Sequence, residues 1–529
     1  MNRSMIFSMI GQVCVVIGAL MLLPLGVSIY FHERCALAFL ITMLISIGIG
    51  MTLQLIFKKG DQVIYAKEGF IIVALSWIIL SAIGALPFVI SHEIPNFIDA
   101  FFETVSGFTT TGSSILRNVE RLSKGLLFWR SFTHWIGGMG VIVFMMAIVP
   151  SQNDRNMHVM RAEVPGPTVG KLVPRLRDTA RILYLLYIAL SIVEMVFLLA
   201  GGMPLFDSLC HMFGTAGTGG FGIKADSITS YSPYLQWVIT IFMLLFGVNF
   251  NIYYLIVRGQ LGAAIKSTEL RCYLGIWLAA TVLIVFNLVN RLHLPLEMAV
   301  RQAAFQTSSI MTTTGYGTTD FNLWPQLSKT ILFFLMFIGA CAGSTGGGLK
   351  VSRVMMLASD IKRELRHLLH PRSVQIVKFE GKRVDNQTLR SVNAYFTLYI
   401  VLMLVMVMLL AFDDSDFETD VTAVVACFNN IGPGFGAVGP ASNFADYSGF
   451  SKLVLSAAML LGRLEIYPIL IALTPSTWVK MPSVSWQMNT LKKRRNPSGD
   501  DFETRNLSFF QKVKLEISKR KNRKTLDGK

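Results

Sequence analysis

Thr312-Thr313-Thr314-Gly315-Tyr316-Gly317 follows a short apolar stretch and lies between two long apolar runs. The same glycine-centred phrase recurs as Thr109-Thr110-Thr111-Gly112, Gly217-Thr218-Gly219-Gly220-Phe221-Gly222 and Ile431-Gly432-Pro433-Gly434-Phe435-Gly436. Three of the four copies carry Gly-aromatic-Gly, and two carry Thr-Thr-Thr-Gly. Glycine reaches backbone angles that other residues avoid and lets an ion approach the main chain closely, so the pattern suits rigid carbonyls lining a narrow path. The centring glycines, taken as Gly112, Gly220, Gly315 and Gly434, recur about every hundred residues, as one pore-lining unit per repeat would. Four copies predict a fourfold pseudosymmetric pore.

Composition places that pore in a bilayer. The chain is 53% hydrophobic and 15% charged, far from the balance of a soluble domain. A hydrocarbon core of about 30 Å needs roughly 20 apolar residues per helical crossing. About ten such runs lie near 6–29, 35–57, 69–91, 127–150, 180–201, 234–257, 272–290, 328–349, 391–412 and 451–474. The first is too long for a signal-peptide core and lacks a small-residue cleavage site, so it reads as a retained helix. Segments 98–108, 205–215, 296–311 and 421–430 are too short to span. They enter and turn back, and irregular backbone at that depth is tolerated only inside protein or facing a water-filled cavity. A short helix ending at each phrase aims its negative dipole end inward, which favours a cation. Thr314-Gly315-Tyr316-Gly317 is close to the Thr-Val-Gly-Tyr-Gly loop of potassium channels, so the expected cargo is a dehydrated monovalent cation. The predicted fold is an all-α polytopic membrane protein: a two-helix prefix (1–60), helix–pore-loop–helix repeats at 61–152, 153–260, 261–380 and 381–482, and a basic tail (483–529).

Charge sets the expected orientation. Basic residues crowd the connections after the fourth, sixth and eighth runs: Arg155, Arg161, Lys171, Arg175 and Arg177; Arg258, Lys266 and Arg271; Lys350, Arg353, Lys362, Arg363, Arg366 and Arg372. The positive-inside rule makes these loops cytoplasmic and, with ten crossings, puts both termini inside. The acidic stretch 413–420 lies on the other side. The formal charge of +16 resides in those loops and in the tail (Lys492-Lys493-Arg494-Arg495 and 519–524), without aromatic-rich recognition motifs, so topology explains it and nucleic acid is not expected. The tail suits anionic membrane lipid, a partner or plain solvent. The six cysteines lack metal-type spacing and read as buried small hydrophobes.

The glycine phrases, His134-Trp135-Ile136-Gly137-Gly138-Met139-Gly140, the run Gly343 to Gly348, and Gly462-Arg463-Leu464-Glu465 together resemble the Trk/Ktr/HKT cation transporters over roughly residues 1 to 480. The resemblance implies a potassium filter built from Thr110, Thr111, Gly112, Thr218, Gly219, Gly220, Thr313, Thr314, Gly315, Gly432, Pro433 and Gly434. Sodium-preferring plant relatives carry serine at the first filter glycine, whereas this chain has Gly112, which favours potassium. The second phrase lacks the threonine triplet and the fourth has Pro433, so coordination there is not expected to match repeats one and three. The resemblance also implies a homodimer in a bacterial inner membrane. It implies a cytoplasmic ring of Rossmann-type, TrkA-like subunits, with basic loops 152–179 and 350–390 as the surfaces that could receive it. The chain itself is expected to carry no cofactor, the nucleotide belonging to the partner subunit.

Gly339 to Gly348 interrupts the eighth run with a composition that cannot hold a straight helix at low cost, at about 1 kcal/mol per glycine relative to alanine. Close helix packing through small residues is the alternative. A phosphate-loop reading fails because Gly348-Leu349-Lys350 replaces Gly-Lys-Ser/Thr and no strand precedes it. Comparable loops in the family obstruct the pore, which nominates Gly343, Ser344, Thr345, Gly346, Gly347 and Gly348 as a gate. Arg463 stands inside an apolar run at a cost of about 2.5–3.5 kcal/mol, which calls for a cavity or a partner. It reads as part of that gate or as a structural group bound to a backbone carbonyl; Glu465, two residues on, does not share its helix face. Glu103 and Asp207 either attract cations or cap loop ends. His134 and His211 read as hydrogen-bonded structural residues. The expected activity is inward potassium translocation, with proton- or sodium-coupled symport as the alternative. A membrane enzyme finds no metal motif, nucleophile elbow or complete nucleotide loop.

Overall fold

Apolar runs of bilayer length leave the backbone no partner but itself, and the chain answers with helices. The computed structural model describes residues 3–57, 66–140, 176–373 and 375–478; most of the basic loop 152–179 and the tail 483–529 lie outside them. The prefix consists of α1 (Arg3–Leu20), α2 (Leu22–Tyr30) and α3 (Cys35–Ile56). Repeat one holds α4 (Ala66–Ile90), α5 (Phe97–Phe108) and α6 (Lys124–Gly138). Repeat two holds α7 (Leu176–Ala200), α8 (Leu205–Ala216), α9 (Pro233–Phe246) and α10 (Phe250–Val257), and a short α11 (Leu261–Lys266) leads out of it. Repeat three holds α12 (Thr268–Leu292), α13 (Leu296–Met311), α14 (Gln326–Leu335) and α15 (Val351–Leu369). After a two-residue antiparallel hairpin, β1 (Lys378–Phe379) with β2 (Lys382–Arg383), repeat four holds α16 (Asn386–Leu410), α17 (Phe417–Phe428), α18 (Gly449–Arg463) and α19 (Tyr467–Leu473).

Six helices among the described residues are long and apolar enough to cross a bilayer, or seven if α9 and α10 count as one bent span. The ten runs are therefore not ten straight crossings. The eighth is helical only to Leu335, as its glycines foretold. The sixth bends by 91° between α9 and α10, and the tenth breaks at Glu465 and Ile466, which both have left-handed φ. The first break falls between Gly247, which ends α9, and Asn249, whose side chain caps α10 by accepting from Asn251 N–H.

The half-length segments are α5, α8, α13 and α17, of 12, 12, 16 and 12 residues. Asn96 and Asp416 cap the first and last by accepting from Ile98 and Thr419 N–H groups, and Pro204 and Pro295 start the middle two. In the prefix, α1 and α3 approach through Gly11 and Gly50, where an added Cβ would lie 2.8 and 2.6 Å from the opposite carbonyl. Such small-residue contacts replace the hydrophobic drive that lipid abolishes. Glu33 ties the prefix to repeat one by accepting from Lys124 N (2.7 Å) and Gly125 N (2.9 Å) at the start of α6. We expect Glu33→Ala to cost about 1 kcal/mol, as loss of a helix cap does. The check is a lowered thermal midpoint of the detergent-solubilised protein; an unchanged midpoint refutes the tie.

Candidate functional site

Each half-length helix ends in the same turn. The second residue past the helix is left-handed, and it is Thr110 (φ 55°), Thr218 (53°), Thr313 (61°) or Asn430 (57°). Its N–H returns to the carbonyl three residues back, at 3.0–3.2 Å in all four repeats. The next N–H, on Thr111, Gly219, Thr314 or Ile431, returns five residues back, at 2.8–2.9 Å. This pair of bonds is the Schellman motif, which satisfies the last helical carbonyls and turns the chain sharply. Glycine usually fills the left-handed position, so three β-branched threonines there are strained in a way that marks functional sites.

The glycine four residues past each helix is Gly112 (φ 84°), Gly220 (73°), Gly315 (84°) or Gly432 (103°). This corrects the sequence register in repeat four: the counterpart of Gly112 is Gly432, not Gly434. Gly434 keeps an ordinary φ and packs against Thr422. Alignment on Gly-aromatic-Gly misled, because Pro433-Gly434 inserts two residues before Phe435. Counting from the end of the short helix finds the right glycine.

These glycines close a ring. A Cβ on Gly112 would lie 2.1 Å from the Gly219 carbonyl, one on Gly220 1.9 Å from Thr314 O, one on Gly315 1.9 Å from Ile431 O, and one on Gly432 2.8 Å from Thr111 O. Repeat one thus abuts two, two abuts three, three abuts four, and four returns to one. All four glycines line a single cavity of about 100 Å³ on one side of the ring. Of the nominated filter residues, Pro433 also lines this cavity; Gly434 does not.

The interrupted segment lies against the ring's other side. Residues 336–350 carry no helix. Gly347 N–H donates to Thr313 Oγ1 at 2.6 Å, and Cβ atoms on Gly346 and Gly347 would meet the carbonyls of Thr312 (2.9 Å) and Asn429 (2.6 Å). The bend between α9 and α10 receives the loop: Cys341 N–H donates to Gly247 O (3.0 Å), and Phe250 N–H to Gly343 O (3.1 Å). From the far side Glu269 accepts from Ala342 N and Ser352 N.

Charges hold the loop from below. Arg463 is buried and donates to Thr345 O (2.9 Å) and to the carbonyls of Gly137 and Gly138 (2.7 Å to the latter). It thus joins the loop to the end of α6. Glu465, in the break after α18, pairs with Arg353 instead (3.0 Å). Lys350, also buried, donates to Gly346 O and Gly347 O. Lys350 and Arg353, which the sequence places among the cations of a basic loop, are buried in this cluster beneath the ring, and no sequence signal separates them from Lys362 or Arg366. The two glycine motifs in α6 and α18 have one cause. A Cβ on Gly137 or Gly462 would lie 1.9 Å from the carbonyl of Phe108 or Phe428, so only glycine lets these helices touch the short helices' ends.

Glu103 is not a cation-attracting surface group. It is buried against Arg130 (2.6 Å) and accepts from Ser114 Oγ (3.0 Å) and Ile115 N (2.9 Å). Asp207 accepts from Tyr231 (2.9 Å). His134 faces Gly107 O at 2.7 Å through Nδ1 and Phe221 N–H at 3.3 Å through Nε2, which fixes a neutral ring with the proton on Nδ1.

Residues 36–483 match TrkH, described as a cation transport protein. The chain belongs to the TrkH family. The Trk system potassium uptake protein TrkH of Salmonella typhimurium is 36% identical over 90% of this chain and 100% of its own. TrkG of the Escherichia coli Trk potassium uptake system is 37% identical over 87% of this chain and 95% of its own. The crystal structure of the potassium transporter TrkH from Vibrio parahaemolyticus superposes with a TM-score of 0.82 at 33% identity, covering 90% of this chain and all of the other. The all-α polytopic fold is thus that of the TrkH family, whose named relatives are transporters and not enzymes, and the chain is a multipass membrane protein.

The ring geometry predicts that Gly315→Ala, whose methyl would lie 1.9 Å from Ile431 O at a left-handed φ, cuts cation flux at least about tenfold. Flux into proteoliposomes, normalised to inserted protein, is the measurement. Wild-type flux would show that the ring does not carry ions.

Proposed function

We propose that the chain conducts potassium ions inward across the bacterial inner membrane, through the ring that the Thr111, Gly219, Thr314 and Ile431 carbonyls share with Gly112, Gly220, Gly315 and Gly432. The observation that carries this reading is the closure of the ring, each repeat meeting the next and the fourth returning to the first. Backbone carbonyls at such a constriction replace the hydration shell of a monovalent cation. The four short helices end at the ring, and their negative dipole ends stabilise the same charge. The relatives' names specify potassium uptake. A reconstituted flux assay with potassium, rubidium, sodium and lithium tests the proposal: potassium and rubidium pass and sodium and lithium lag, and equal passage of all four would overturn it.

The loop 343–348, with Arg463 and Lys350 beneath it, acts as the gate. The protein works as a homodimer with both termini cytoplasmic. A TrkA-like nucleotide-binding subunit acts on the basic surface of residues 350–390, so that no cofactor is held by this chain. Coupling is not required, since an inside-negative potential of about 150 mV supplies roughly 3.5 kcal/mol per charge, enough for a few-hundred-fold accumulation. One observation favours the symport alternative: Glu194 of α7 is wholly buried, near Thr215 of α8, with neither oxygen in a well-formed hydrogen bond. A potassium reversal potential that is independent of pH rejects proton coupling.

Shortening Gly343–Gly348 is expected to raise flux several-fold, because the segment fills the space under the ring; a correctly inserted variant conducting no better than wild type removes the loop from the gate. Arg463→Gln frees the Thr345 carbonyl and removes a charge. At about 6 Å that charge repels a potassium ion by roughly 2–3 kcal/mol at an effective dielectric of 20. Relief of that barrier should raise basal flux by roughly 30- to 140-fold with ion selectivity retained. Normal membrane abundance with unaltered or reduced flux would mean that Arg463 only supports the fold.

A further inference from the structure

We propose that Arg130 is a positioning residue for ion discrimination, clamping the filter strand of repeat two to the short helix of repeat one. This rests on the filter reading above. Arg130 projects from α6 between the two strands, in an ion pair with Glu103 in which both side chains are almost fully buried (3% and 0% exposed). Its Nε donates to Glu103 Oε1 at 2.6 Å, and its Nη1 donates to the carbonyl of Gly222 at 2.9 Å. The guanidinium plane lies over Phe221, with Cζ 3.4 Å from the ring centroid. Phe221 and Gly222 are the two residues that follow the filter glycine Gly220, so one cation holds the side chain and the backbone of that strand together.

Two further contacts make the clamp rigid. Glu103, already engaged by Arg130, also accepts from Ser114 Oγ and Ile115 N, which lie on the outer strand of repeat one. The same carboxylate therefore ties both strands to α5. His134, one turn along α6 and on the same face as Arg130, receives the Phe221 N–H and sets its ring 4.2 Å from that of Phe221. Phe221 is thus gripped by two side chains of one helix, which is in turn bonded to Gly107 of α5 through His134. Arg130 lines the cavity beside the four filter glycines, yet Glu103 neutralises it, so its action on a passing cation is geometric. A filter prefers potassium only while its carbonyls are kept from closing around a smaller ion. A strand held by a planar, five-donor guanidinium cannot make that adjustment, whereas one held by a flexible ammonium can.

The neighbouring junction shows what the same place looks like without a cation. His211 occupies on α8 the position of Glu103 on α5, nine residues before the filter glycine, and meets the Tyr316 hydroxyl, at 3.4 Å through Nδ1 and 3.3 Å through its backbone carbonyl. Tyr316 is the residue after Gly315, as Phe221 is after Gly220. The contact recurs, but with neutral partners and longer distances, so the charged clamp belongs to the junction of repeats one and two.

The test is the potassium-to-sodium permeability ratio of the full chain in proteoliposomes, with membrane abundance measured in parallel. Arg130→Lys keeps the charge opposite Glu103 but loses the fork and the stacked plane. The ratio should fall by about tenfold, the size of losing one hydrogen bond from a charged donor. Phe221→Leu leaves the ion pair intact and should lower the ratio in the same direction by less. An unchanged ratio in an abundant Arg130→Lys protein overturns the proposal; if that variant fails to insert, an unchanged ratio in Phe221→Leu overturns it instead. Gly112→Ser serves as the reference: a shifted ratio there with none in the clamp variants removes only the clamp, whereas no shift in any of them removes the filter reading itself.

Discussion

A glycine α-carbon resting against a backbone carbonyl of the next repeat is the contact on which this molecule is organised. It occurs four times and closes on itself, and at three of the four places an added Cβ would sit at about 2 Å. That spacing admits no side chain. It obliges the short helices to converge and fixes how far apart the four strands can stand. The Schellman turns deliver the chain into that arrangement, because they satisfy the last helical carbonyls and redirect the backbone within two residues. Threonine in the left-handed position costs on the order of 1–3 kcal/mol each, and the burial of the surrounding helices is what keeps the turn in place.

The rest of the repeat follows from holding those turns against each other. Gly137 and Gly462 let α6 and α18 touch the short helices at carbonyl distance. Lateral contacts then lock neighbouring repeats: Ser113 Oγ donates to Gly432 O at 3.0 Å, and Asn430 donates to Thr111 Oγ1 at 2.9 Å. Below the ring, a broken helix exposes backbone groups that would be costly in lipid, and several of them bond to Gly247 O, the Phe250 N–H, Thr313 Oγ1, Glu269 or the buried cations. The cations bind carbonyls of the loop as well as carboxylates, so the lower structure is held by bonds that can be exchanged one at a time. That is the physical property the proposed gate requires, whereas the ring above is held by close packing that leaves no room for a side chain.

Membrane class, repeat number, the short helices and the break in the eighth run were all readable from residue type and spacing. Apolar length dictates crossing, half-length forbids it, and clustered glycine forbids helix. These are local rules, and they hold wherever the segment sits. Repeat four was misread by two residues because the eye follows Phe435, while the backbone counts from the end of α17. In the sixth run Gly247 ends α9 and Asn249 caps α10, so a break was locally marked, but its 91° angle and the loop from repeat three that it receives are set by the tertiary structure.

Side-chain partners were the part that only the tertiary structure decided. Arg463 was recognisable as a charge in need of a partner, but its partners are carbonyls of residues 137, 138 and 345, more than a hundred positions away. Glu103 could have faced solvent or protein with the same sequence around it, and the arrival of Arg130 from α6 settles the matter. Lys350 and Arg353 looked like loop cations until the fold buried them. A sequence states which groups cannot remain alone in a low-dielectric interior, because that penalty belongs to the group; which group relieves it depends on geometry assembled across all four repeats.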